Sequence, residues 1–392
     1  MQDAVIVALS RTPIAKSPRG SFRHTRPDDL AAAAIKAALA QLPSLDFHEI
    51  DDAVLGCSMP EGESGMNVAR VACLRAGLPN TIPGATVNRF CASGLEAVAI
   101  AAQRIRSGDA EIMIAGGTES MTLVPFLGVS TKPNPALVDS APNTYLNMGL
   151  SVEQLSKKHG VTREQADAFS VASHEKALAA QAEGKFEAEI APVETVVEES
   201  VDGRPVEKKL RADKDEGPRA GTTLEGLAKL RPAFRSDGVI TAGNASQRSD
   251  GAAIVILMSA SKADKLGIKP WGRFVGYTTA AVAPEDFGVA PAYAVPKLLK
   301  KHGLNPEDLD LIEFNEAFAA QALASDKLYP LPMDRMNVNG GAIALGHPLG
   351  CTGARQTVTL FHELRRRSGK YGLVTMCAAL GMAGAGLFEA YS

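Results

Sequence analysis

Two stretches of this 392-residue chain, one near each end, alternate strand and helix in the same order and resemble each other. Near the N-terminus the apolar periodicity predicts strand 4–9, helix 28–42, strand 52–57, helix 66–77, strand 84–90, helix 92–106 and strand 111–116. Near the C-terminus it predicts strand 272–282, helix 292–302, strand 309–314, helix 316–326, strand 337–344, helix 350–366 and strand 371–377. Such alternation implies βαβ units around a mostly covered sheet. Asp51-Asp52-Ala53-Val54-Leu55-Gly56 has a counterpart in Asp308-Leu309-Asp310-Leu311-Ile312-Glu313. Val87-Asn88, a turn, a helix and Ile112-Met113-Ile114-Ala115-Gly116-Gly117 has a counterpart in Val338-Asn339, a Gly-rich turn, a helix and Leu373-Val374-Thr375-Met376-Cys377. The chain reads as an internal duplication, and it is too long for one ordinary core. Corresponding strand-to-helix turns of two related halves can meet at one cleft, however far apart they lie in sequence.

Residues 119–250 break the alternation. They hold polar loops, a helix near 163–183 opened by the capping pattern Thr162-Arg163-Glu164-Gln165, and a hairpin turning at Asp202-Gly203. The run from Lys208 to Arg219 is dense in charge. This segment is expected to lie over the core and to cover a site, as long insertions often do. Hydrophobic residues make up 45% and charged residues 22%, as in a soluble globular protein. A net charge of -3 argues against nucleic acid or an anionic membrane as partner. No apolar run approaches the roughly 18–20 residues that span a bilayer. A strand starting at Ala4 leaves no room for a targeting peptide, so a cytoplasmic protein is expected. Five cysteines with no CxxC and no metal-like spacing predict free thiols and no metal site.

Cys91 lies between a strand and an amphipathic helix whose apolar face is Leu95, Val98, Ala99, Ala102 and Ile105. At the positive end of a helix dipole its thiolate is expected to be favoured, and its backbone N–H would face a developing oxyanion. Ser93 and Gly94 are small enough for close approach. His347, in Leu345-Gly346-His347-Pro348-Leu349-Gly350, is held extended by the proline after it. Cys377 ends an apolar strand and opens a small-residue turn, where a thiol could move a proton. Asn315 is either a helix cap or an amide that holds a water or polarises a carbonyl; Glu316 favours the helix N-terminus. Cys57, Cys73 and Cys351 are expected to be packing residues. Of the other histidines (24, 48, 159, 174, 302, 362), most are expected at the surface. The Gly-rich stretches match neither a dinucleotide fingerprint nor a P-loop.

Taken together, these segments are similar to the thiolase family. Asn88-Arg89-Phe90-Cys91-Ala92-Ser93-Gly94 resembles its nucleophile motif, and Gly116-Gly117-Thr118-Glu119-Ser120-Met121 the motif that follows. Arg231-Pro232-Ala233-Phe234, Thr241-Ala242-Gly243-Asn244-Ala245-Ser246, Asn315-Glu316-Ala317-Phe318, Gly346-His347-Pro348 and the final cysteine turn match in order. The resemblance covers essentially the whole chain. It implies an α/β fold of duplicated βαβ halves in five αβαβα layers with an inserted loop domain. The halves would be residues 1–118 with 245–265, and 266–392; residues 119–244 would cover the coenzyme A site.

By motif, the resemblance makes Cys91 the acylated nucleophile, His347 its base, Cys377 the second acid/base and Asn315 the holder of an oxyanion-hole water. Oxyanion donors would be Cys91, His347 and Ala379, and coenzyme A or substrate contacts Ser246, Arg219, Phe234, Met148, His159 and Phe318. Family members usually carry glycine at the position of Ala379; alanine keeps the N–H, but in a left-handed backbone it costs about 1 kcal/mol. Ala383 also stands where relatives commonly have glycine.

The implied reaction is thiolysis of 3-oxoacyl-CoA in fatty-acid β-oxidation, with coenzyme A as co-substrate and no bound cofactor. The implied assembly is a homodimer or homotetramer, with a hydratase/dehydrogenase subunit as a further partner. The rivals are a biosynthetic acetyl-CoA acetyltransferase, a decarboxylating condensing enzyme, which would lack Cys377, and a non-catalytic lipid carrier or scaffold on the same fold.

Overall fold

The computed structural model describes residues 2–202 and 204–391. The ends of the expected halves, residues 1 and 392, lie outside the described residues, as does Gly203 of the expected hairpin turn.

The strands are β1 (Ala4–Arg11), β2 (Ala15–Lys16), β3 (Asp52–Gly56), β4 (Gly84–Val87), β5 (Ile112–Ser120), β6 (Val193–Val201), β7 (Arg204–Ala212), β8 (Ser249–Ser259), β9 (Gly272–Ala281), β10 (Leu311–Phe314), β11 (Tyr371–Ala378) and β12 (Met382–Ala390). Ten of them form one mixed sheet, β10-β11-β12-β9-β1-β8-β5-β3-β4, with β2 beside β8. β6 and β7 pair only with each other. The long sheet has a narrow seam. β1 meets β9 only at Val5–Arg273 and Ile6–Gly272, whereas β1 and β8 pair from Ala4–Ser259 to Arg11–Ala253. On either side of that seam β3 runs parallel to β4 and β5, and β10 parallel to β11.

Side chains alternate across each half-sheet. From β3, Leu55 packs outward with Leu30, Ile35 and Cys73, while Val54 packs inward. The inner faces bury two helices between them. Leu95, Val98 and Ala102 of the helix Ser93–Ser107 and Val358 and Phe361 of the helix Thr352–Arg367 touch Val54, Met113 and Val255 on one side. On the other side lie Val374, Met376 and Phe388. The outer face of the second half is covered by Val295 and Leu298 of the helix Pro291–His302. The layers are therefore helix, half-sheet, helix pair, half-sheet and helix, the expected five-layered α/β architecture.

The buried pair meets at its N-terminal turns. A Cβ on Gly94 would lie 2.7 Å from Gly350 O and 2.9 Å from Ala354 N, and one on Gly353 2.5 Å from Leu95 N. Only glycine lets these backbones come so close. The Ser93 helix ends at Gly108, which takes the left-handed cap conformation at φ 88.

Three expected elements differ. Strand 337–344 is not a strand; only Met336 bridges Ile312, and the chain turns into the short helix Ala342–Leu345. Gly340 is left-handed (φ 82), and a Cβ on Gly341 would strike the Glu316 carboxyl, so the backbone reverses there. Strand 84–90 stops at Val87, because Asn88 Oδ1 accepts the Phe90 N–H and Phe90 itself is left-handed (φ 48). The helix expected from 316 starts at Ala319. β8 and β12, both antiparallel returns, were not anticipated as strands.

The inserted segment is pinned by a buried ion cluster. Arg11, fully buried, donates from Nε to Glu189 at 2.7 Å and from Nη1 and Nη2 to Asp215 at 2.8 Å. Backbone bonds run both ways between Arg11 and residues 189 and 191. Truncating Arg11 would leave two carboxylates buried without a cation. Arg11→Ala is expected to cost about 3–5 kcal/mol, read as a lower midpoint in denaturant unfolding.

Candidate active site

The turn that carries Cys91 is strained in a productive way. Asn88 Oδ1 takes the Phe90 N–H, Ser93 Oγ takes the Arg89 N–H, and Phe90 O takes the Ser93 hydroxyl. The chain bends sharply between β4 and the helix, and the buried Cys91 sulfur sits at the helix entrance. Cys91, His347, Ser246, Phe234, Met148 and Phe318 line one cavity of about 250 Å³. Met121, Phe126, Gln247 and Leu349 also line it. Its wall is thus mainly apolar, with sulfur and imidazole facing the same space.

His347 is held from both sides. Its N–H donates to Gln247 O at 3.0 Å, and Nδ1 lies 2.6 Å from Thr352 Oγ1. That hydroxyl donates to Pro348 O at 2.9 Å, so it accepts from Nδ1–H. The proton is therefore on Nδ1, and Nε2 carries the lone pair. The Asn315 amide donates to Nε2 at 3.2 Å. Asn315 is thus no helix cap; its own N–H bonds Thr375 O, which fixes it beside β11. Its Oδ1 is buried with no protein partner.

Cys377 is fully buried at the end of β11, the strand that packs against the Phe90–Ala92 turn. It does not line the cavity, but charge on Cys91 would raise its pKa, so the two sulfurs are electrostatic neighbours. Ala379 avoids the left-handed region; Leu380 (φ 61) and Gly381 (φ 79) carry the turn instead. The alanine therefore bears no left-handed cost. Ala383 sits in β12 directly opposite Cys377.

Burial dominates the electrostatics. Desolvation pushes the Cys91 thiol up to about 12, against the opposing pull of a backbone N–H, and the Glu119 carboxylate adds to the rise. Desolvation, with Arg355 nearby, pushes His347 down to about 3. The resting pair is thiol and neutral imidazole. This corrects the expectation of a favoured thiolate: the helix-end field is real, but removing the sulfur from water outweighs it.

Other expected residues fall elsewhere. His159 ends the helix that begins at Met148, about 16 Å along its axis from the cavity wall, and only its carbonyl is engaged, by Lys327. Arg219 is exposed and off the wall; its N–H donates to His174 Nδ1. His174 and His362 are buried, His24 and His48 are exposed and His159 and His302 partly exposed, so surface placement holds for four of the six. Glu316 does not serve the helix that follows it, Ala319–Leu328, but the start of the helix Ala342–Leu345. It accepts from Ser173 Oγ, Asn337 Nδ2 and the Ile343 N–H, tying the inserted helix Arg163–Ala182 to the loop before His347. Cys57, expected as packing only, also points its thiol at Glu119 at 3.6 Å. Thr352 and Glu119 were missed as site residues. Thr352 lies five residues after His347 with no motif to mark it.

A buried histidine lowered this far binds a proton in the unfolded chain before it does in the fold. It contributes stability above its unfolded pKa and loses it as pH falls. His347 alone should cost about 2 kcal/mol between pH 6.5 and pH 5. His347→Asn is expected to flatten that part of the stability curve, measured by denaturant titration at each pH.

The family model for the thiolase N-terminal domain matches residues 4–261, and that for the C-terminal domain residues 268–390. The chain is 50% identical to a 3-ketoacyl-CoA thiolase of Bacillus subtilis, over 99% of this chain and 100% of that protein. It is 47% identical to an acetyl-CoA acetyltransferase of Pseudomonas aeruginosa, over 96% of each. The crystal structure of the Bacillus anthracis acetyl-CoA acetyltransferase superposes with a TM-score of 0.90 at 39% identity, covering 100% of this chain and 99% of that one. This chain belongs to the thiolase family and is an acyltransferase.

Proposed function

We propose that the protein cleaves 3-oxoacyl-CoA with coenzyme A, giving acetyl-CoA and a shortened acyl-CoA, as in fatty-acid β-oxidation. The observation that carries this reading is that Cys91 and the lone-pair nitrogen of His347 share one apolar cavity. The 50% identity to a 3-ketoacyl-CoA thiolase supports the degradative direction.

His347 Nε2 takes the Cys91 proton as sulfur attacks the 3-keto carbon. Charge then builds on that oxygen, where imidazolium N–H and a water held by Asn315 donate. Asn315 Oδ1, a buried acceptor without a protein partner, supports that role for the amide. The C2–C3 bond breaks and leaves acetyl-CoA as its enolate, with the acyl group on Cys91. Cys377 protonates the enolate carbon, then takes the proton of the incoming coenzyme A thiol, which attacks the acyl-cysteine. The N–H of Ala379 stabilises the thioester oxygen of the enolate. Ser246, Met148, Phe234 and Phe318 contact the pantetheine arm and acyl group, and exposed Arg219 meets the nucleotide end. Residues 119–244 form the cover, while residues 1–118 with 245–265, and 266–392, form the halves. His159 keeps no part in this reading. The assembly is a dimer or tetramer in the cytoplasm; no helix among the described residues is long and apolar enough to cross a membrane.

The acetyl-CoA acetyltransferase relatives favour a second reading, condensation of two acetyl-CoA at the same residues. Thiolysis rates for 3-oxoacyl-CoA from C4 to C16 separate the two. The degradative reading expects kcat/KM to be higher for longer chains than for C4, and activity confined to C4 refutes it. Cys91→Ala is expected to lower kcat more than about 10³-fold and to trap no labelled acyl group. Cys377→Ser should still acylate slowly but lose exchange of the acetyl-CoA methyl protons; normal exchange in that variant removes Cys377 from the mechanism.

A further inference from the structure

Glu119 is a carboxylate that the mechanism above does not use, and it is 1% exposed. It stands near the end of β5. Oε2 accepts the Ser58 N–H at 2.7 Å and the Gly350 N–H at 2.7 Å. Oε1 accepts the Met59 N–H at 3.1 Å and faces the Cys57 thiol. No cation pairs with it among the described residues; its charge is met by backbone dipoles. Such a group is costly to bury unless its acceptors are used, and here three backbone donors use them.

The donors lead directly to the reacting residues. Ser58 O accepts from Asn88 Nδ2 at 3.0 Å, and Asn88 begins the turn that presents Cys91. Gly350 lies in the His347 loop, between the imidazole and Thr352, which orients it. A Cβ on Gly350 would stand 2.8 Å from Glu119 Oε2 and 2.7 Å from Cys57 Cα, so this loop reaches the carboxylate only because it is glycine. Met59 and Leu349, neighbours of two of the donors, pack in one cluster with Cys91. One carboxylate thus holds both the loop beneath the sulfur, from the first half, and the loop of the imidazole, from the second.

We propose that Glu119 is a positioning residue for acyl transfer: by tying the Ser58-Met59 loop and Gly350 to the end of β5, it sets the geometry of Cys91 against His347. The inference rests on the thiolase reading of Cys91 and His347. Burial raises the Glu119 carboxyl while its backbone donors pull it back down, and a negative charge there opposes ionisation of Cys91. Other titratable or charged groups around that sulfur are Cys377, His347 and, on the cavity wall, Arg248.

The test uses the full-length protein with two substitutions. Glu119→Gln removes the charge and sets an amide donor against a backbone N–H; Glu119→Asp keeps the charge and withdraws it by one methylene. Both are expected to lower kcat, per titrated active site, by about 10- to 100-fold, with KM for the acyl-CoA within about 3-fold of wild type. Alkylation of Cys91 by iodoacetamide should rise at lower pH in the Gln variant than in wild type, and at unchanged pH in the Asp variant. Wild-type kcat per site in either variant, whether or not its melting temperature falls, overturns the proposal. An unshifted alkylation profile in the Gln variant does so too. If the Gln variant does not fold, the Asp variant decides by kcat. Alkylation needs no substrate, so a wild-type protein without thiolysis would remove the functional reading and still leave the Gln comparison to judge Glu119.

Discussion

The active site depends on the contact of two helix beginnings in the middle of the protein. Gly94 and Gly353 let the Ser93 and Thr352 helices touch backbone to backbone, sandwiched between the two half-sheets. Each helix follows the turn that carries Cys91 or His347, so the contact brings sulfur and imidazole to one cavity from opposite ends of the chain. Both positive helix ends point into the same region, which suits a reaction that builds negative charge there. A methyl group at either glycine would separate the helices and the two residues together.

The inserted segment is joined to this frame by polar groups taken out of water. Arg11 grips Glu189 and Asp215, and Thr359 donates to Glu189 at 3.0 Å from the Thr352 helix itself. Glu316 grips Ser173 on the inserted helix and the Ile343 N–H just before His347. Buried charges of this kind add little net stability but strongly penalise any arrangement that leaves one unpaired. That penalty suits a segment whose Met148 and Phe234 line the cavity in one fixed place.

Much of this was legible in the sequence because it is local. The spacing of Leu95, Val98, Ala102 and Ile105 fixes a helix and its buried face. The repeat of strand, turn and helix fixes two halves, and the motifs around Cys91, His347 and Cys377 point to a shared site. What the sequence hid is long-range. Glu119 binds Gly350, 231 residues away, and nothing near either position announces it. Residues 337–344 have the apolar content of a strand, yet Gly340 is left-handed and the Glu316 carboxyl fills the place of a Cβ at Gly341. Ionisation was misjudged for the same reason. The helix-end field could be inferred from the turn, whereas the loss of water around Cys91 appears only when both halves close over it.

A buried, protonated sulfur also has a consequence outside catalysis. Peroxide attacks thiolates, and the damage proceeds from sulfenic acid to forms that do not revert. A sulfur that is both out of water and held as a thiol is a poor target for such chemistry, because an oxidant must reach it and find it ionised. On the proposed mechanism, sensitivity is then confined to the moments when His347 holds that proton.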